Sequence, residues 1–155
     1  MALKVLFIGG TGQISEPTVR LAVDTGHEVS VFNRGRATAD LPAGVTAIVG
    51  DMNDPACYAE LGKHNFDVAC QFIVFTPEQM QRDIATFSDR AGQYIFISSA
   101  SVYEKPPRHY VITEKTPTVN PYWEYSQRKI APFATTCSVR SAVDPPSSKA
   151  TVCAL

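Results

Sequence analysis

Two spacings in this chain bring together residue types that can do chemistry. In the first, the largely apolar run Leu3-Lys4-Val5-Leu6-Phe7-Ile8 stops at Gly9-Gly10-Thr11-Gly12-Gln13-Ile14-Ser15. A buried strand that ends in glycines and passes into helical spacing leaves backbone N–H groups open at a helix start, where a pyrophosphate is held. Gly9 allows the tight turn and Gly12 a close backbone approach, with Thr11, Gln13 and Ile14 completing the candidate cofactor-binding segment. The third glycine of the usual spacing falls on Ser15, small enough to keep helix and strand close. In the second, Tyr125 and Lys129 stand four apart and share one helical face. Taken alone, that pair reads as an ordinary amphipathic face with a half-buried phenol and a solvated ammonium.

The elements that must position these residues follow from periodicity. Leu3 to Ile8 reads as a buried strand, then Glu16 to Thr25 as a helix closed by Gly26, with Pro17 tolerated in its first turn. Glu28 to Phe32 and Val45 to Val49 read as strands, followed by Asn33-Arg34-Gly35-Arg36 and Gly50-Asp51. Asp54-Pro55 opens a short helix as cap and first-turn proline. Phe66 to Phe75 is a near-continuous apolar run broken by Gln71. Thr76-Pro77-Glu78-Gln79 is a capping box for a helix to about Ala91, stopped by Gly92. Tyr94 to Ile97 is the fifth strand, ending in Ser98-Ser99; after a polar, proline-bearing stretch, Tyr122 to Ile130 is helical. Strand–helix alternation predicts an α/β fold with a parallel sheet covered on both faces, and ligand at the strands' C-terminal ends.

Composition bounds the rest. The 155 residues suit one domain, and 45% hydrophobic with 19% charged residues excludes general disorder. A net charge of −1 gives no reason to expect nucleic acid or an anionic membrane. No run approaches the roughly 18 apolar residues of a membrane helix, and the N-terminus lacks the pattern of a secretory signal, so a cytoplasmic protein is expected. Cys57, Cys70, Cys137 and Cys153 show no paired metal spacing, and His27, His64 and His109 are far apart, so no metal is expected.

The glycine turn, Ser98-Ser99-Ala100-Ser101-Val102-Tyr103 and Tyr125-Ser126-Gln127-Arg128-Lys129 come in one order and spacing that resembles a known group. Over about residues 3 to 131 the chain resembles the extended short-chain dehydrogenase/reductase superfamily, in its NAD(P)-dependent epimerase/dehydratase branch. The resemblance implies a Rossmann-like doubly wound parallel sheet. It also implies hydride transfer between a nicotinamide and a sugar-nucleotide or other alcohol/carbonyl carbon. Tyr125 then matches the catalytic acid/base, Lys129 the cation that favours the phenolate and reaches the nicotinamide ribose, and Ser99 the hydroxyl that bonds the reacting oxygen. After the second strand an acidic residue would favour NAD; the chain has Asn33-Arg34, and the Arg34 guanidinium suits a 2′-phosphate, so NADP is favoured over NAD. Asp51 resembles the residue that contacts the adenine amine, with a local turn cap as its other reading. Ala100 and Ser101 stand where sugar-nucleotide dehydratases carry an acidic pair, which disfavours a 4,6-dehydratase and leaves epimerase or carbonyl reductase.

The chain departs from the superfamily at Pro132, three residues past Lys129. An interior proline costs about 3 kcal/mol, and Phe133 to Leu155 shows no period. The expectation is therefore a dinucleotide-binding domain over residues 1–131, about five strands, and an irregular tail over 132–155. The substrate domain of the family would be missing through a frameshift or truncation near Ile130. On that reading the isolated chain is poorly stable and turns over little or not at all. The resemblance implies a homodimer paired through the Tyr125 helix and its neighbour as one possible assembly, with that helix interrupted here by Pro132; the sequence itself leaves the oligomeric state open. The alternatives on the same scaffold are a non-catalytic NAD(P) sensor and an RNA-binding protein of the kind that binds chloroplast stem-loops.

Overall fold

The computed structural model describes residues 1–36, 41–142 and 149–153. Six strands, β1 (Lys4–Ile8), β2 (Glu28–Asn33), β3 (Thr46–Val49), β4 (Phe66–Gln71), β5 (Ala91–Ile97) and β6 (Lys149–Cys153), form one parallel sheet in the order β3-β2-β1-β4-β5-β6. Helices α1 (Ser15–Asp24), α2 (Pro55–Leu61), α3 (Pro77–Phe87) and α4 (Glu124–Ala142) connect them, with a 3-10 turn at Ala100–Val102. The strand order reverses between β1 and β4, so their C-terminal ends diverge and leave a crevice there.

β1 is apolar on both faces because both are covered. Leu6 and Ile8 pack with Tyr58 and Leu61 of α2 and Met80 and Phe87 of α3. Val5 and Phe7 pack on the opposite side with Val19 of α1 and with Val29 and Val31 of β2. The doubly wound sheet expected from the alternation is what the chain forms. Both anticipated caps are present: the Asp54 carboxylate accepts from Ala56 N–H, and Thr76 and Gln79 close a reciprocal capping box.

One polar cluster interrupts the core. The fully buried Asp83 carboxylate accepts from the Tyr58 hydroxyl, from Gln71 Nε2 at 2.6 Å and from the Tyr94 hydroxyl at 2.6 Å. Burial pushes the Asp83 carboxyl and both phenols up from their ordinary values. Gln71 Oε1 in turn accepts from Ile73 N–H at 2.9 Å. That bond ends β4 at Gln71, four residues before the end of its apolar run. Phe72 N–H still reaches Ile8 O at 3.1 Å, and the chain then leaves the sheet along the crevice, which Ile73 and Phe75 line.

Three expectations are corrected. Helix α3 stops at Phe87, and Gly92, expected as its stop, lies inside β5. A Cβ at Gly92 would stand 3.0 Å from the Asp67 carbonyl oxygen, so this glycine permits close strand approach. The helix bearing Tyr125 runs through Pro132 to Ala142, where an irregular tail from residue 132 was expected. Ser126, Lys129 and Pro132 are all buried, and α4 packs on α3 and the 3-10 turn. Burial of that stripe outweighs the local cost of one proline. Finally, a sixth strand joins the five expected: Lys149–Cys153 pairs in parallel with β5, with Gln93 opposite Lys149 and Ile97 opposite Cys153. β5 is thus an interior strand, with β6 on its outer side. Among the described residues no helix is long and apolar enough to cross a membrane.

Candidate active site at the strand ends

β1 delivers the glycine turn to the point where the sheet order reverses. Gly9 adopts φ +83°, and a Cβ there would lie 2.7 Å from Ile73 Cγ2. A Cβ at Gly10 would meet the Val31 side chain at 2.9 Å. At Gly12 the nearest atom would be Ser15 Oγ at 3.4 Å, so backbone is open to the outside there. Ser15 does more than fill a small space: its buried hydroxyl donates to Gly9 O at 2.6 Å and accepts from Gly12 N–H at 2.9 Å. It cross-ties the turn, a local serine–backbone bond of the kind that serines make near helix starts. α1 has no side-chain cap at Ile14, which leaves its dipole facing the opening. Gln13 and Ile14 are exposed at that end.

A crevice of about 410 Å³ runs from Gly9, Thr11 and Gly12 past Asn33 and Arg34 to Phe75. Asn33 Oδ1 accepts from Gly35 N–H at 2.8 Å, which turns the chain so that Arg34 and Arg36 line the opening. Neither arginine forms an ion pair among the described residues. Asp51 is turned to its own backbone, with Oδ1 accepting from Asn53 N–H at 2.8 Å. That geometry is the turn cap weighed for it.

The second half of the site stands on β5, the 3-10 turn and α4. Ser99 caps the 3-10 turn, and its hydroxyl lies 2.9 Å from that of Ser101. Ser126 Oγ donates to Ser101 Oγ at 2.8 Å, and Asn120 Nδ2 donates to Ser101 O at 2.8 Å and to Ser126 Oγ at 3.3 Å. A hydroxyl chain therefore ties Ser99 to α4 one residue after Tyr125. Ser101 was read only as a position lacking an acidic group, and Ser126 and Asn120 were given no role in the sequence; no local pattern signals that the three would bond to one another.

Tyr125 is 37% exposed and lines a second cleft with Phe75, Trp123, Glu124 and Arg128. Its ring lies 4.9 Å from the Trp123 ring and 5.9 Å, edge-on, from Phe75. Lys129 is 1% exposed. Its Nζ donates to Phe72 O at 3.0 Å and Ile97 O at 3.3 Å, at the ends of β4 and β5, and sits 4.3 Å from the Phe75 ring centre. Desolvation lowers its pKa to about 8. The structure thus brings Tyr125, Lys129 and Ser99 to the same strand ends as the glycine turn. Lys129 lies beneath Phe75 and is not among the side chains lining either opening.

Comparison with known proteins places this arrangement. The family model described as "NAD dependent epimerase/dehydratase family" matches residues 5–143. The chain is 29% identical over 116 residues to the chloroplast stem-loop binding protein of 41 kDa b from Arabidopsis thaliana, over 66% of this chain and 30% of that protein. Its fold matches the UDP-Glc/GlcNAc 4-epimerase of Campylobacter jejuni with a TM-score of 0.77 at 20% identity, over 96% of this chain and 52% of that one. It also matches a short-chain dehydrogenase/reductase superfamily protein from Agrobacterium tumefaciens with bound NAD, with a TM-score of 0.74 at 17% identity, over 96% and 47%. The chain spans about half the length of these solved structures.

Proposed function

The chain belongs to the NAD-dependent epimerase/dehydratase family, and on that premise we propose that it binds a nicotinamide dinucleotide between the Gly12 turn and Arg34, with hydride-transfer chemistry centred on Tyr125. The observation that carries the reading is the run of positions around Gly9, Gly10 and Gly12 where a Cβ would block the opening or strike a neighbour, next to an uncapped helix start. Open backbone at Gly12, Gln13 and Ile14 suits the pyrophosphate, and Arg34 and Arg36 suit a 2′-phosphate, which favours NADP over NAD. Asn33 and Asp51 would frame the adenosine end. When bound, the dinucleotide supplies a hydride acceptor or donor.

The protein's own residues handle the proton. Ser99, held by Ser101 and Ser126, presents its hydroxyl to the reacting oxygen of an alcohol or carbonyl. Tyr125 takes or returns the proton on that oxygen. A phenol is a weak base at neutral pH unless a cation lies close. Lys129, one turn along α4, is that cation, fixed by two strand-end carbonyls that hold it still. Ala100 and Ser101 leave no acidic pair for an elimination, which points to an epimerase or reductase acting on a sugar-nucleotide or another alcohol/carbonyl. We assign the sheet β1 to β6 with its helices to one dinucleotide-binding domain of a cytoplasmic protein, with pairing of copies through α4 and its neighbour.

Calorimetric titration with NADPH and NADH tests the reading. Saturable binding, tighter for NADPH and retained in Tyr125→Phe, supports it; absence of any heat rejects it. RNA binding on the same scaffold is the second reading, carried by the similarity to the chloroplast stem-loop binding protein. Salt-sensitive binding of a stem-loop RNA, unaffected by dinucleotide, would favour it.

A further inference from the structure

Phe75 is the residue common to both openings: it lines the crevice that runs to the glycine turn and the cleft that holds Tyr125. Its place is fixed from behind. Its backbone N–H donates to Gln79 Oε1 at 2.9 Å, the side chain that also closes the α3 capping box. Its ring meets two functional groups at once, and a third through the second. One face lies 4.3 Å from the Lys129 ammonium, Tyr125 packs against it at 5.9 Å in an edge arrangement, and Tyr125 passes the contact on to Trp123 at 4.9 Å. The ring thus stands on the boundary that the two openings share.

We propose that Phe75 is a positioning residue that partitions the dinucleotide crevice from the Tyr125 cleft and passes occupancy of the first on to the Tyr125–Trp123 pair in the second. The proposal rests on the reading of the first crevice as a dinucleotide site. Aromatic edge contacts and a cation over a ring are short-range and directional. An occupant that moves the ring therefore changes the setting of the phenol and the cover over the ammonium together. A side chain of similar bulk without a ring fills the space and carries neither contact.

The chain has a single tryptophan, Trp123, so its emission reports from the second cleft alone. The experiment is a titration with oxidised NADP, whose absorbance does not overlap tryptophan emission, read in parallel by calorimetry and by Trp123 fluorescence. The wild-type chain is expected to bind with a saturable change in emission. Compared at equal, saturating occupancy, Phe75→Ala and Phe75→Leu are expected to lose most of the emission change, and Phe75→Tyr to restore it. Phe75→Leu keeps the bulk, so the outcome does not depend on the alanine variant folding. The proposal is overturned if wild type binds with no emission change, or if Phe75→Leu gives the wild-type change at equal occupancy. No heat with wild type would instead remove the dinucleotide reading itself, and the coupling with it.

Discussion

The two halves of the site are built on opposite principles. The β1–α1–β2 half works by leaving side chains out: a Cβ at Gly9 would strike Ile73 in the crevice, one at Gly10 would strike Val31 in the core, and Gly12 leaves its backbone open. The β5–α4 half works by putting side chains in, with the Ser99–Ser101–Ser126 hydroxyls, a buried Lys129 and three aromatic rings in contact. Backbone cradles tolerate little substitution because their cost is steric. Side-chain assemblies lose function one contact at a time, in proportion to what each contact holds.

That contrast can be broken by experiment. The largest effect expected is in the second half: Tyr125→Phe lowers any turnover roughly 10²–10⁴-fold, measured as NADPH consumption with carbonyl substrates, while calorimetric affinity for NADPH is unchanged. In the first half, Gly9→Ala places a methyl group against Ile73 at a positive φ. It should cost about 3 kcal/mol, read from the urea midpoint, and abolish dinucleotide binding. Were Gly9→Ala to bind normally, the steric account of the cradle would be wrong.

Lys129 supplies a pH test. Its pKa falls from 10.5 to about 8 in the folded chain, so between those values the unfolded chain binds more protons than the native one. Stability should therefore rise with pH across that window, by about 2 kcal/mol before tyrosine ionisation opposes it. In Lys129→Met the rise should vanish; urea unfolding of both proteins at several pH values decides. Arg34→Ala is expected to weaken NADPH about tenfold, about 1.4 kcal/mol, and leave NADH unchanged, which competitive titration would show. The smallest effect is Ser126→Ala, about 1 kcal/mol in the urea midpoint, with NADPH binding intact because the hydroxyl chain does not reach the cradle.

The cradle was legible because its determinants are contiguous. A strand, a glycine turn and a helix start within thirteen residues leave few other ways to fold. Even there, Ser15 was read by size alone, and its hydroxyl proved to tie Gly9 to Gly12. In the second half the sequence picked out Ser99, Tyr125 and Lys129, which the structure brings to the same strand ends, and gave no sign of their support. Phe75 read as the end of a strand, because nothing local reveals that Gln71, drawn to Asp83 twelve residues on, stops β4 early. Pro132 read as a helix end for the same reason: its cost is local, and the burial that offsets it comes from α3 and the 3-10 turn.

By itself the sequence determined the layered α/β plan and the glycine turn that joins β1 to α1. These follow from periodicity and from backbone conformations that only certain residues adopt. The tertiary structure alone decided that Lys129 is buried under Phe75 against two strand-end carbonyls, that α4 continues through Pro132, and that β6 closes the edge of β5. Each of those depends on contacts between segments far apart in the chain, where burial and directional bonds outweigh local preference.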